Sequence, residues 1–374
     1  MTSLTPVDGR GARAVVVKVG SSTVTTASGQ VDVDVVGRLS GEVAKLTADG
    51  HRVVVVTSGA IACGWAALGR TGGRPSDPAV LQAVSAVGQQ RLMRAWQDGL
   101  GAEGLLAGQV LLAPLDFGHR RQYLHARSTL QHLFGLGVVP VVNENDAVAD
   151  EEIRFGDNDR LAALVAHLVR ADLLILLTDT PGLLSADPRL GDGGSLIEEV
   201  IEIDQHLMEL AGGPGSVGSG GMASKLAAAR MASRSGVTTV IADGRRPGVL
   251  AAALEGVPGL GTVCRPSAER MPARKLWIAY ALGSSGLLVV DDGARSALVE
   301  HGRSLLAAGV VECRGRFEPN DAVEVAGTDG VVFAKGLVRY SSERAPEWVG
   351  RRSEALPEDL SAVAMHRDDL VVLR

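Results

Sequence analysis

The sequence predicts an α/β protein: an open, mostly parallel sheet flanked by helices, followed by a small C-terminal β-barrel-like domain. Six apolar, β-rich runs alternate with helical patterns between residues 13 and 265. The runs are apolar at consecutive positions, the pattern of central parallel strands covered on both faces by crossover helices. Beyond residue 265 the texture changes to short strands separated by turn signals. At 374 residues the chain is too long for one ordinary core and suits a large α/β domain plus a small one.

In chain order, the predicted strands are 14–19, 52–57, 105–112, 138–143, 173–178 and 238–242. Helical composition occupies 31–49, 78–97, 120–134, 159–171, 196–210 and 222–235. Segment 266–274 is polar and carries proline, so the expected organisation is a first domain at 13–265, a linker at 266–281 and a second domain at 282–374. In the second domain 287–290, 309–314, 321–326, 331–338 and 369–373 read as strands. Gly327-Thr328-Asp329-Gly330 supplies a hairpin turn between two of them. There is no internal repeat, and the low-complexity stretch 212–221 is short enough to be a functional loop.

Composition removes several classes of function. A hydrophobic content of 46% against 21% charged residues describes a globular chain with ample aliphatic surface to bury, ordered beyond its first dozen residues. Cys63, Cys264 and Cys313 are odd in number, far apart and in no Cys-x-x-Cys pair, which reads as reduced cytosolic thiols and argues against zinc. Arg10 and Arg13 precede an apolar run of only a strand's length, and no stretch approaches the ~18 apolar residues of a membrane span. The expectation is a soluble, cytoplasmic protein. A net charge of −6 offers no basic excess to displace phosphate counterions, which disfavours non-specific nucleic-acid binding.

Only five of the 37 basic residues are lysine, and two of the five adjoin glycine-rich turns. Lys18 lies in Val17-Lys18-Val19-Gly20-Ser21-Ser22, and Lys225 closes Gly218-Ser219-Gly220-Gly221-Met222-Ala223-Ser224-Lys225. Where arginine otherwise dominates, a lysine marks a need for a compact ammonium that approaches one oxygen as a point charge. Phosphoryl transfer has that need. Ligands of open α/β sheets bind beyond the carboxyl ends of the strands, where both turns fall. Neither turn fits a commoner motif. Gly-x-Gly-x-x-Gly is absent after the first strand, and Lys225 is followed by Leu226 where a Walker loop carries Ser or Thr. The second turn is a glycine loop running into a helix N-terminus, suited to the terminal phosphates of a nucleotide.

Two more clusters lie at strand ends. Thr57-Ser58-Gly59-Ala60 starts a helix and offers amide donors to a carboxylate or phosphate, although a plain helix cap has the same look. It also misses the Gly-x-Ser-x-Gly elbow, which excludes Ser58 as that kind of hydrolase nucleophile. Asn143-Glu144-Asn145-Asp146 and Gly156-Asp157-Asn158-Asp159 concentrate amides and carboxylates able to hold a zwitterion, while capping and turn formation remain the other reading. An acidic residue near two lysines would orient them and keep them ionised. The eight histidines show no metal-ligand spacing, and His125 and His132 read as ordinary helical residues.

As an ordered set these segments, together with Leu177-Thr178-Asp179 and a C-terminal region ending in His366-Arg367-Asp368-Asp369, resemble the amino acid kinases over nearly the whole chain. The C-terminal region is similar to a PUA domain. The resemblance is to the branch that transfers the ATP γ-phosphoryl group to the side-chain carboxylate of L-glutamate, the first step of proline biosynthesis. Mg2+ would arrive with ATP. The resemblance implies that Lys18 and Lys225 stabilise the transferring group and that Asp159 holds both lysines. It places glutamate at Ser58, Asp146 and Asn158 with Asn143 nearby, and the nucleotide at Lys18, Thr178, Asp179 and the segment Ser219, Gly220, Gly221, Met222, Ala223, Ser224 and Lys225. It further implies inhibition by proline, homo-oligomers and hand-off to a glutamate semialdehyde dehydrogenase. The chain departs from the pattern at Ser219, where threonine is common, and at Gly118-His119-Arg120-Arg121, where acidic residues are expected. PUA domains bind RNA in other proteins. Residues 282–374 hold 11 Arg plus Lys against 15 Asp plus Glu, and Phe317, Phe333, Tyr340 and Trp348 form no evident stacking platform, so a regulatory or assembly role is expected instead.

Overall fold

The structure, a computed structural model, describes residues 11–70, 75–113, 116–117, 120–148, 158–186, 194–212, 221–268 and 270–373. The chain divides into two compact units, 1–270 and 271–374.

The first unit is built on an eight-stranded sheet. Its strands are β1 (Ala14–Val19), β2 (Arg52–Val56), β3 (Leu106–Leu112), β4 (Val138–Glu144), β5 (Leu173–Thr178), β6 (Glu199–Val200), β7 (Thr238–Asp243) and β8 (Gly261–Cys264), in the order β3-β4-β2-β1-β5-β7-β8-β6. All neighbours from β3 to β7 run parallel, and β7 meets β8 antiparallel. Every residue of β1 and β5 is buried, as uniform apolar runs in a parallel sheet require. Val36, Leu39 and Val43 of the Val33–Ala48 helix join β1 and β2 residues in one hydrophobic cluster with Leu92, Trp96 and Leu100 of the Pro78–Ala102 helix. The strand order reverses at β1, with β2 on one side and β5 on the other, so a ligand crevice is expected at its carboxyl end.

Two expectations are corrected. The run at 105–112 reads as a buried central strand, yet β3 is the sheet edge with Leu106 67% exposed, because it has a strand neighbour on one side only. Residues 196–210 are not one helix. Leu196 makes an isolated bridge, β6 follows, and helix begins only at Gln205, where Asp204 caps it by accepting from Leu207 N. β8 and the Val249–Glu255 helix were not foreseen.

The second unit carries a five-stranded sheet in the order β11-β9-β12-β13-β15 and a two-stranded ladder β10-β14. These are β9 (Gly286–Val290), β10 (Leu305–Leu306), β11 (Val310–Gly315), β12 (Ala322–Gly327), β13 (Val332–Leu337), β14 (Val363–Met365) and β15 (Leu370–Val372). The expected hairpin joins β12 to β13, with Gly330 N donating to Gly327 O. Phe317, Phe333, Tyr340 and Trp348 are all buried in this unit's core. Part of the segment expected to be a linker is folded: Ala273–Leu276 is helical, and Ile278 is buried against Ala322, Leu337 and Val371. No helix among the described residues is long and apolar enough to cross a membrane.

Candidate active site

Lys18 is the one charged residue of β1 and is itself buried. A central strand leaves a lysine no route to water, so its ammonium needs a partner nearby. Asp159, in the first turn of the Asn158–Val169 helix and 1% exposed, supplies it: Lys18 Nζ lies 2.6 Å from Asp159 Oδ1. Lys225 Nζ, from the first turn of the Met222–Arg234 helix, lies 3.2 Å from Asp159 Oδ2. Ser224 Oγ donates to the same oxygen at 2.8 Å. Burial acts to raise the Asp159 carboxyl, but the two ammoniums and the Ser224 hydroxyl outweigh it and hold it below the usual carboxylate range. Burial, joined by the like charge of Lys18, pushes Lys225 below the usual lysine range even though Asp159 opposes the shift. Among the described residues this cluster of two ammoniums and one carboxylate carries one net positive charge, with Asp179 acting on Lys225 from beside it.

Next to this triad lies an amide cluster. Gly59 caps the Ala60–Ala67 helix at φ +106°, and a Cβ there would stand 3.1 Å from Thr25 Cγ2, so only glycine makes the turn that brings Ser58 inward. Asn158 Nδ2 lies 2.9 Å from Thr57 O, 2.8 Å from Ser58 Oγ and 2.9 Å from Asn143 Oδ1, its two protons shared among the three acceptors. Asn143 Nδ2 donates to Gln89 Oε1 at 2.7 Å, and Trp96 Nε1 supports Thr57 Oγ1 at 3.0 Å. Asp146 is buried in a one-turn 3-10 helix after β4. It lines an open cavity of about 720 Å³ with Gln89, Met93, Gln109, Glu144 and Asn145. Beyond the triad, Thr178 ends β5 and Asp179 follows it, with Thr178 Oγ1 donating to Asp179 Oδ1 and Arg245 Nη2 to Asp179 O.

The structure thus joins Lys18, Asp159, Ser224 and Lys225 into one cluster, and Ser58, Asn143 and Asn158 into a second. Gly221 caps the Met222–Arg234 helix in extended backbone, with Met222 and Ala223 opening it. Ser219, Gly220, Gly156, Asp157, Gly118 and His119 lie outside the described residues. Sequence reasoning missed Gln89, Trp96 and Arg245. Gln89 sits in an amphipathic helix as one polar residue among many, and nothing local marks its partner 54 positions on.

Comparison with known proteins places the chain in a family. The Amino acid kinase family matches residues 13–243 and the PUA domain residues 286–358. A glutamate 5-kinase of Pelobacter propionicus is 44% identical, over 96% of this chain and 98% of its own. Those of Chromohalobacter salexigens and Nocardia farcinica are each 46% identical, over 97% and 96% of this chain and 97% of each of theirs. A solved carbamate kinase from Giardia lamblia bound to AMP-PNP superposes with a TM-score of 0.49 at 16% identity, over 68% of this chain and 98% of that one. With its Lys18–Asp159–Lys225 cluster at the carboxyl ends of a parallel sheet, the chain belongs to the amino acid kinase family, in its glutamate 5-kinase branch, and carries a C-terminal PUA domain.

Proposed function

We propose that this chain transfers the γ-phosphoryl group of ATP to the side-chain carboxylate of L-glutamate, giving γ-glutamyl phosphate and ADP, at the start of proline biosynthesis. The observation that carries this reading is the buried excess positive charge of Lys18 and Lys225 on Asp159. The relatives' printed name supplies the substrate. In this reading Lys18 and Lys225 neutralise charge that spreads over the transferring group, and Asp159 holds both ammoniums in place before reaction begins. The acceptor carboxylate is already a nucleophile, so the reaction needs no general base. Catalysis is positioning plus charge neutralisation.

Ser58, Asp146 and Asn158 take the amino acid, with Asn143 behind them. Thr178, Asp179 and residues 219–225 take the nucleotide beside Lys18. Mg2+ would neutralise the phosphates of ATP and enter bound to them. Both oxygens of Asp159 are engaged by Lys18, Lys225 and Ser224, so this carboxylate would serve the lysines, and the metal would be held chiefly by the nucleotide that carries it. Proline, an amino acid with the same head group, competes for the glutamate pocket, and residues 116–127 shape that response. Equal rates with and without millimolar proline would contradict this. The acyl phosphate is unstable in water, which favours its hand-off to a glutamate semialdehyde dehydrogenase; the chain is separately expected to form homo-oligomers.

Trapping the acyl phosphate with hydroxylamine tests the substrate. With ATP and Mg2+ present, hydroxamate should form from L-glutamate and not from L-aspartate or N-acetylglutamate. Hydroxamate from another acid would keep the chemistry and overturn the substrate, and none from any acid would overturn both.

A further inference from the structure

Gln89 pairs with neither lysine nor Asp159, yet through Asn143 it ends a chain of side-chain amides that runs into the proposed glutamate pocket. Its position is fixed by an unusually close helix crossing. A Cβ at Gly88 would lie 1.8 Å from Ala60 O, and one at Gly64 would lie 1.9 Å from Val84 O, so the Pro78–Ala102 and Ala60–Ala67 helices meet backbone to backbone one residue before Gln89. That contact leaves little freedom in where Gln89 stands.

The direction of the amide chain follows from two backbone groups whose roles are not open to choice. Thr57 O only accepts, so the atom of Asn158 that meets it is the Nδ2 donor. Glu144 N only donates, so the atom of Asn143 that meets it at 2.9 Å is the Oδ1 acceptor. Asn143 Nδ2 is thereby turned toward Gln89, which answers with Oε1. At the other end, Ser58 Oγ lies 2.8 Å from Asn158 Nδ2 and shares protons that also face Thr57 O and Asn143 Oδ1, which leaves the Ser58 hydroxyl proton open to another acceptor. Asn158 Oδ1 is left buried with no hydrogen-bond partner among the described residues. A hydroxyl donor beside a buried carbonyl acceptor matches the carboxylate and ammonium of an α-amino acid.

We infer that Gln89 is a positioning residue: by accepting from Asn143 Nδ2, whose direction the backbone already sets, it anchors the outer end of the Gln89–Asn143–Asn158 chain and so holds the Asn158 amide where the pocket meets the amino-acid head group. The inference rests on the reading that Ser58 and Asn158 face glutamate. Without an acceptor at position 89, Asn143 has no fixed outer partner and the Asn158 amide is held less firmly.

The test is steady-state kinetics of Gln89→Met, Gln89→Glu, Asn158→Ala and the Gln89→Met/Asn158→Ala double variant of the full chain, with thermal denaturation of each. Methionine matches glutamine in length and lacks the acceptor, whereas glutamate keeps it. Gln89→Met should raise KM for L-glutamate about tenfold or more, the scale of an unpaired buried donor, with kcat and KM for ATP nearly unchanged. Gln89→Glu should restore most of that affinity. In the Asn158→Ala background, Gln89→Met should add little, because the amide chain is already cut. If Asn158→Ala raises the glutamate KM while Gln89→Met does not, or if the two losses simply add, the role of Gln89 is overturned and the pocket stands. If Asn158→Ala itself leaves glutamate affinity intact, the pocket reading fails instead. A Gln89→Met variant that loses stability and affinity for both substrates together, without rescue by glutamate, marks a structural residue and also overturns the inference.

Discussion

The two units bury lysine in opposite ways. In the first, Lys18 and Lys225 share one carboxylate, and the cluster carries an excess positive charge at the end of a parallel sheet. In the second, Lys335 is equally buried but donates to the backbone carbonyl of Leu282, within a unit whose core is aliphatic and aromatic. That unit's acid–base pairs, Arg295–Asp329, Arg314–Glu312 and Arg344 with Glu347 and Asp359, stand toward solvent. A buried charge facing a carbonyl satisfies the fold. A buried excess of charge is costly without an anion, and its retention marks the place where a phosphoryl group is expected.

The largest effect that would sharpen this contrast is on rate. Lys225→Ala or Lys18→Ala should lower kcat by about three powers of ten or more, the scale of removing a cation from a transferring phosphoryl group, whereas Lys335→Met should leave kcat unchanged. Comparable losses of rate at all three lysines would break the comparison.

Stability should show the reverse order. Trp348, fully buried against Tyr340 in the second unit, should cost about 3–5 kcal/mol of that unit's stability when replaced by alanine, read by denaturant unfolding, with hydroxamate formation at low denaturant unchanged.

The pH response is a smaller effect with a defined sign. Lys225 has its ammonium pushed below the usual lysine range by burial, so the charged form needed for transfer is lost at lower pH than for a free lysine. The alkaline limb of kcat should fall below pH 10.5 and should vanish in Lys225→Ala relative to that variant's own maximum. Asp159 shifts the other way. Its folded carboxyl lies below the unfolded value of about 4, so its contribution to stability is fully present above that pH and is lost only as pH falls through the lower folded value. Acid unfolding of Asp159→Asn should therefore lack one proton uptake in the acidic range.

The smallest effect belongs to the surface. Arg344→Ala breaks solvent-exposed pairs and should leave both melting temperature and rate unchanged within error.

The Lys18–Asp159–Lys225 cluster was legible because its signals are local. Lys18 breaks an apolar strand next to glycine, Lys225 follows a glycine loop at a helix start, and Asp159 opens a helix. The topology then brings strand and helix ends together without further information. β3 was misread because a run of apolar residues looks the same at a sheet edge as at its centre; which strands flank it is a property of the whole chain. Helix at 196–204 was over-read because its composition is helical, while bridging to Leu184 and pairing with β8 draw that stretch into extended structure. Gln89 was invisible for a similar reason. Its meaning depends on a glycine crossing between two helices and on an asparagine at the end of a distant strand.

The most direct test of the account is the rate of Asp159→Asn, measured as hydroxamate formation from L-glutamate at saturating ATP, with its melting temperature and those of the two lysine variants recorded alongside. Asparagine keeps the shape while removing the charge that holds both ammoniums and turning one of the two acceptor oxygens into a donor. The expected result is a folded variant whose rate falls by about three powers of ten or more, and a combination with Lys225→Ala that loses little further. A folded Asp159→Asn enzyme working within about tenfold of the parent, which is only about 1.4 kcal/mol of barrier, would contradict it.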